Sequence, residues 1–222
     1  MQISEYIDHT LLKATTTPED IETLCEEAIK YDFKAVCINS CYVHLATQTL
    51  ENDSPLIAAV VGFPLGAMAT EAKVAEAKKC IKEGADEIDM VLNVGFLKAE
   101  LYKSVREEIT AIKKAIGRRT LKVILEVCYL TDAELRMACK IAQKAGADFV
   151  KTSTGFGSGN ATLHSVKLMK EAVGDSIQIK ASGGIRDYKT AMEYIEMGAS
   201  RIGTSSGVAI VTQKNTTDES SY

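Results

Sequence analysis

What the 222 residues lack narrows the field first. No apolar run approaches the ~18 residues needed to cross a bilayer. The opening residues, Met1-Gln2-Ile3-Ser4-Glu5, carry neither the basic stretch nor the apolar stretch of a leader. There is no basic run and no interleaving of Lys or Arg with aromatic residues. With a net charge of -4 and a pI near 5.5, this argues against nucleic acid or an anionic membrane as partner. The six cysteines form no C-x-x-C pair, so a cytoplasmic protein with reduced thiols is expected, most of them small core residues. Cys37 and Cys41 could share a helical face, although Cys37 reads better as the end of a strand. His9, His44 and His164 fall in unrelated segments with no metal-ligand spacing. Glycine is missing after the first strand, where Asp8-His9-Thr10-Leu11-Leu12-Lys13 stands, and this disfavours an open dinucleotide-binding sheet. In Lys151-Thr152-Ser153-Thr154-Gly155 the lysine precedes the glycines, the reverse of a P-loop.

What is present is an ordinary globular composition, 46% hydrophobic and 25% charged, with an internal phrase. Gly84-Ala85-Asp86, Gly146-Ala147-Asp148 and Gly198-Ala199-Ser200 each follow a helical pattern and precede an apolar run. The glycines suit the left-handed position that ends a helix. Strands are expected near 5–9, 34–38, 56–62, 86–92, 121–127, 148–152, 177–181 and 200–203. Helices are expected near 18–31, 40–51, 70–83, 101–116, 131–145, 162–173 and 187–197. Thr17 before Pro18 opens the first helix, and Thr70, Thr131 and Asp187 suit the same capping position. Strands as apolar as Ile57-Ala58-Ala59-Val60-Val61 suit a parallel sheet covered by helices. Eight alternations without a linker predict an α/β fold, a single-domain (β/α)8 TIM barrel over residues 1–211 with a flexible tail at 212–222. An open doubly wound sheet is the rival.

Two lysines stand at the ends of apolar runs, Lys151 after Phe149-Val150 and Lys180 after Ile177-Gln178-Ile179. Asp89 and Lys151 each lie five residues after the glycine of their phrase, so they occupy equivalent places, and Lys180 takes the matching strand end. In a barrel all three converge at the C-terminal mouth. A lysine desolvated beside a second cation is readily an amine nucleophile, and an acid can exchange protons with it. The plainer reading is a structural salt bridge between Asp89 and one lysine. Glu126 either lines the same mouth or forms a polar strand end. Three successive loops, at Thr152–Asn160, Ser182–Ile185 and Gly203–Gly207, are small and glycine-containing. They are either an anion site of backbone N–H groups or simply tight turns.

Gly84-Ala85-Asp86-Glu87-Ile88-Asp89, Ala147 through Gly155, Lys180-Ala181-Ser182-Gly183-Gly184-Ile185 and Phe63-Pro64-Leu65-Gly66 together resemble the deoxyribose-phosphate aldolase family of class I aldolases. The resemblance runs from Ile7 to Gly207. It implies a lyase that cleaves 2-deoxy-D-ribose 5-phosphate to D-glyceraldehyde 3-phosphate and acetaldehyde, without metal or organic cofactor. It implies Lys151 as the Schiff-base lysine, Lys180 as the lysine that tunes it, and Asp89 in proton transfer. Gly155, Gly183, Gly184, Gly203, Ser205 and Ser206 match the phosphate site, and Tyr222 the terminal tyrosine some relatives share. Partners would be small phosphosugars and aldehydes, with room for a homo-oligomer. One departure is Phe156, where some relatives carry lysine, so phosphate binding here would lean on backbone amides. A phosphosugar isomerase and a non-catalytic sugar-phosphate sensor are the alternatives.

Overall fold

The computed structural model describes residues 2–51, 53 and 55–213. Eight parallel strands close into a barrel in sequence order. They are β1 Ile7–Leu11, β2 Ala35–Ile38, β3 Leu56–Val61, β4 Glu87–Val91, β5 Thr120–Ile124, β6 Phe149–Lys151, β7 Gln178–Ser182 and β8 Arg201–Thr204. The outer layer holds α1 Pro18–Lys30, α2 Val43–Leu50, α3 Thr70–Glu83, α4 Val94–Lys98, α5 Tyr102–Ile116, α6 Asp132–Lys144, α7 Leu163–Val173, α8 Tyr188–Glu196 and α9 Gly207–Thr212.

Local chemistry explains most of the boundaries. Thr17 and Thr131 each close a reciprocal capping box, with Asp20 and Glu134 respectively, and Asp187 accepts the Thr190 N–H. Gly84, Gly146 and Gly198 take φ of 116°, 88° and 108°, the left-handed region expected of them. Thr70 does not cap α3. The Ala69 carbonyl already accepts the Ala72 and Lys73 N–H groups, so Thr70 lies inside the first turn. The first strand begins at Ile7 rather than residue 5 because Ile3–Tyr6 coil into a 3-10 turn. The expected helix at 40–51 is split, Ser40–Tyr42 being 3-10 and α2 starting at Val43. The five-residue α4, capped by Asn93, had no forecast. α9 extends to Thr212, one residue into the expected tail, whose remainder from 214 lies outside the described residues.

Period-2 alternation divides the strands into two faces. Outward residues such as Val36, Ile57, Ile88, Met90, Val123, Val150, Ile179 and Ile202 form the main apolar core with the helices. Inward residues divide into two regions. On the β1–β3 side, Leu12, Cys37, Ala58 and Val60 make a small apolar cluster with Phe63. From β4 round to β1 the interior is charged, with Glu87, Asp89, Lys122, Lys151, Lys180, Arg201 and Asp8 all buried. Charges at this density are sustained only in mutual contact.

Candidate active site

Asp89 is the hub of that interior. Its Oδ1 accepts from Lys122 Nζ at 2.8 Å, and its Oδ2 accepts from Lys151 at 2.9 Å and Lys180 at 2.8 Å. The two lysines singled out in the sequence therefore meet on one oxygen, within two hydrogen-bond lengths of each other. Lys180 Nζ also lies 2.5 Å from Asp8 Oδ2. Lys122 reaches Glu87, and Arg201 bridges Asp8 and Glu87 below them. Lys151 closes β6 at the mouth, whereas Asp89 and Lys180 stand in mid-strand, a layer deeper than strand ends.

Electrostatics follows from these contacts. Burial opposes ionisation of Asp89, but Lys122, Lys151 and Lys180 hold its carboxyl well below the usual carboxylate range. Burial likewise opposes a charge on Asp8, yet Arg201, Lys180 and Lys122 bring it down to about 2. Desolvation works against the Lys180 ammonium, but Asp8 and Asp89 raise it well above its ordinary value. Lys180 is thus a firmly charged neighbour of Lys151, and Asp89 a firmly ionised acceptor.

Asp8, Glu87, Lys122 and Arg201 were not picked out from the sequence. Some signals were available. The interval that aligns Asp89 with Lys151 also aligns Glu87 with Arg201, each three residues after its glycine, and these two pair. Lys122 interrupts an apolar run much as Lys151 ends one, and it registers with Asp89 across β4 and β5. Asp8 carried no comparable mark.

The proposed anion loops lie beside this cluster. Gly155, Gly183 and Gly184 have φ of 86°, 96° and 76°. Asn160 packs so closely on Gly183 and Gly184 that a Cβ on either would meet it at 3.0–3.1 Å, which ties the first and second of these loops together. Gly203 also has a packing role. It sits inside β8 facing the interior, and an added Cβ would lie 3.0 Å from Lys180 Cε, so its bareness makes room for that lysine's stem. Ser205 is exposed and Ser206 half-buried, and both border a groove of about 490 Å³ with Lys13, Thr10 and α9. That groove lies mostly between α1 and α9. A smaller cavity of about 180 Å³ adjoins the mouth, lined by Pro64, Leu65, Val94, Glu126, Tyr129 and Phe156 among others. Phe156 turns edge-on to Phe63, with ring centroids 5.3 Å apart. Tyr222 lies outside the described residues.

Fold and residue placement define a parallel (β/α)8 barrel with a lysine-rich centre at the C-terminal end of its strands. Residues 3–213 match the family model described as DeoC/LacD family aldolase, and the chain belongs to that family. It is 56% identical to a deoxyribose-phosphate aldolase of Finegoldia magna, over 95% of this chain and 99% of that one. Among solved structures, an aldolase designated QR15 superposes with a TM-score of 0.93 at 40% identity, covering 96% of both chains. A deoxyribose phosphate aldolase from Aeropyrum pernix, described as tetrameric, gives 0.87 at 32% identity, covering 95% of this chain and 90% of that one.

Proposed function

We propose that this chain is a deoxyribose-phosphate aldolase that works through a Schiff base on Lys151, cleaving 2-deoxy-D-ribose 5-phosphate reversibly to D-glyceraldehyde 3-phosphate and acetaldehyde. The observation that carries this reading is the sharing of Asp89 Oδ2 by Lys151 and Lys180 in a buried interior. Charge counting supports it. Four basic side chains, Lys122, Lys151, Lys180 and Arg201, contact three carboxylates, Asp8, Glu87 and Asp89. The cluster balances when one base is neutral. Lys122 and Lys180 each touch at least two carboxylates, whereas Lys151 touches Asp89 alone, so the neutral amine that nucleophilic attack requires is best accommodated there.

In this proposal neutral Lys151 adds to the C1 aldehyde of the open-chain sugar. Lys180 gives a proton, through water, to the departing hydroxyl, and the iminium forms. The iminium carries the positive charge that Lys180 has given up, so the cluster stays balanced with Lys180 neutral. Lys180 then takes the C3 hydroxyl proton through water as the C2–C3 bond breaks, its electrons passing into the iminium to leave an enamine. The same proton returns to C2, and hydrolysis releases acetaldehyde and frees Lys151. Asp89, too strongly ionised to store a proton, keeps both amines oriented and mediates these transfers through water held at its oxygens. The buried Ser153 hydroxyl, which has no hydrogen-bond partner among the described residues, offers the sugar a hydrogen bond. Gly155, Gly183, Gly184, Gly203, Ser205 and Ser206 receive the phosphate. Reaction in the cytoplasm and assembly into a homo-oligomer belong to the same reading, as does Tyr222 as a proton shuttle.

The test is acetaldehyde with borohydride followed by mass spectrometry. A two-carbon addition is expected on Lys151 alone, and labelling of Lys180 or no labelling at all overturns the reading.

A further inference from the structure

Glu126 follows β5 in a conformation that L-residues avoid, with φ 54° and ψ 66°. Its side chain is almost wholly buried. Its carboxylate accepts the Thr154 backbone N–H at 3.2 and 3.3 Å to its two oxygens, and also the Thr154 hydroxyl. The Thr154 Oγ1 in turn accepts the Phe156 N–H at 3.0 Å. Gly157 completes the contact, since a Cβ there would stand 3.2 Å from the Glu126 carboxyl carbon and 2.8 Å from Cys128 Sγ. The turn that leaves Lys151 is therefore moulded on Glu126 at successive points from Thr154 to Gly157.

β6 has only three residues, so the segment beyond Lys151 needs external anchors. β7 supplies one, with Ser182 N–H donating to Thr152 Oγ1 and Ser182 Oγ to the Ser153 carbonyl. On the opposite side, the Val127 N–H donates to the Thr152 carbonyl at 3.0 Å, and Glu126 takes over one step further out. A strained, buried carboxylate directed chiefly at one loop, with a long Cys128 Sγ contact at 4.0 Å besides, is a costly arrangement of the kind found at functional sites.

We propose that Glu126 is a positioning residue for phosphate recognition. By fixing Thr154 and the Thr154–Gly157 turn, it aims the Gly155 amide at the substrate phosphate, leaving the Lys151 amine to be organised separately by Asp89. This rests on the aldolase reading above.

Glu126→Gly is the informative variant, because it removes the carboxylate with the rest of the side chain while glycine adopts the left-handed backbone freely. Expected is a KM for 2-deoxyribose 5-phosphate raised at least tenfold. The variant's kcat/KM for unphosphorylated 2-deoxyribose and its rate of acetaldehyde–borohydride labelling should stay within about twofold of the parent. An unchanged KM for the phosphosugar overturns the proposal, as does a parallel fall in activity on both sugars. If Glu126→Gly does not fold, Thr154→Val and Thr154→Ser decide. The valine should reproduce the KM defect and the serine, which keeps the hydroxyl, should rescue it; equal behaviour of the two overturns the proposal. Absence of labelling in the parent enzyme would instead indict the Schiff-base reading, so the two failures are distinguishable.

Discussion

At the scale of single residues, the charged interior separates stability from chemistry. Lys151 is the surplus base of its cluster, so Lys151→Leu leaves three cations facing three carboxylates. Its cleavage and borohydride labelling should vanish, while its melting temperature should match or exceed the parent's, as removing a functional residue often allows. Lys122→Leu is the contrasting case. It removes the one ammonium that Glu87 and Asp89 share, and deleting one partner of a buried ion pair costs roughly 3–5 kcal/mol. Urea unfolding of the two variants should place their midpoints on opposite sides, or at least far apart. Similar midpoints would mean the cluster is not balanced as counted. Lys180→Leu should resemble Lys122→Leu, since Asp8 and Asp89 both lose a partner.

At the scale of elements, a second buried pair ties helices to the loops near the mouth. Lys73 of α3 is fully buried, as is Glu108 of α5 but for 1%. Lys73 Nζ donates to Glu108 at 2.9 Å and to the Val91 carbonyl at the end of β4. Glu108 also accepts the Asn93 N–H that precedes α4. Desolvation drives the two apart from their ordinary values, Lys73 downward and Glu108 upward, only partly offset by their attraction. Lys73→Met should therefore cost about 3–5 kcal/mol, and at roughly 2–4 °C per kcal/mol for a chain of this size its melting point should drop by on the order of 10 °C. Adding Glu108→Leu should restore most of this but not all, because the Asn93 N–H keeps no acceptor. A double variant no better than the single one refutes the pairwise account.

Elements were also where the sequence could be read best. Helix caps such as Thr17 and Thr131, and the phrase glycines, act through the nearest few residues, so their signals are local and survive in the chain. The same ruler placed Asp89 and Lys151 on one face because strand alternation is strictly twofold. The α4 turn and the 3-10 turn at Ile3–Tyr6 are too short to show a period. Asp8 became visible only on closure, when β1 meets β8 and Arg201 comes within reach from 193 positions away. At Gly203 the sequence suggests a phosphate ligand and gives no hint of a packing role, because glycine marks both bare amides and tight packing. Only the position of the Lys180 stem reveals the second use.

At the scale of the whole molecule, closure of the barrel turns these side chains into one titrating body, and its dependence on pH follows. Asp8 drops to about 2 in the folded chain, from ~3.9 when unfolded. Its stabilisation is thus complete above about pH 4 and disappears as pH falls toward 2. Asp89, also held well below the ordinary carboxylate range by Lys122, Lys151 and Lys180, acts in the same direction. Lys180 is raised in the fold, so its contribution is complete below an unfolded value of ~10.4 and is lost only as pH climbs beyond that. Glu108 and Glu126, raised by burial, oppose the acid trend modestly, because they bind protons more readily folded than unfolded and so lose stability as pH rises above ~4.3. Urea midpoints between pH 2 and 11 should therefore form a broad plateau through neutrality with a steep acid edge between about 4 and 2. Asp8→Asn isolates the cause. The amide keeps the shape but carries no titrating charge, so this variant should be less stable at pH 7 and show a shallower acid edge. An acid edge of undiminished steepness would place the origin of acid unfolding outside the barrel interior, among the surface carboxylates.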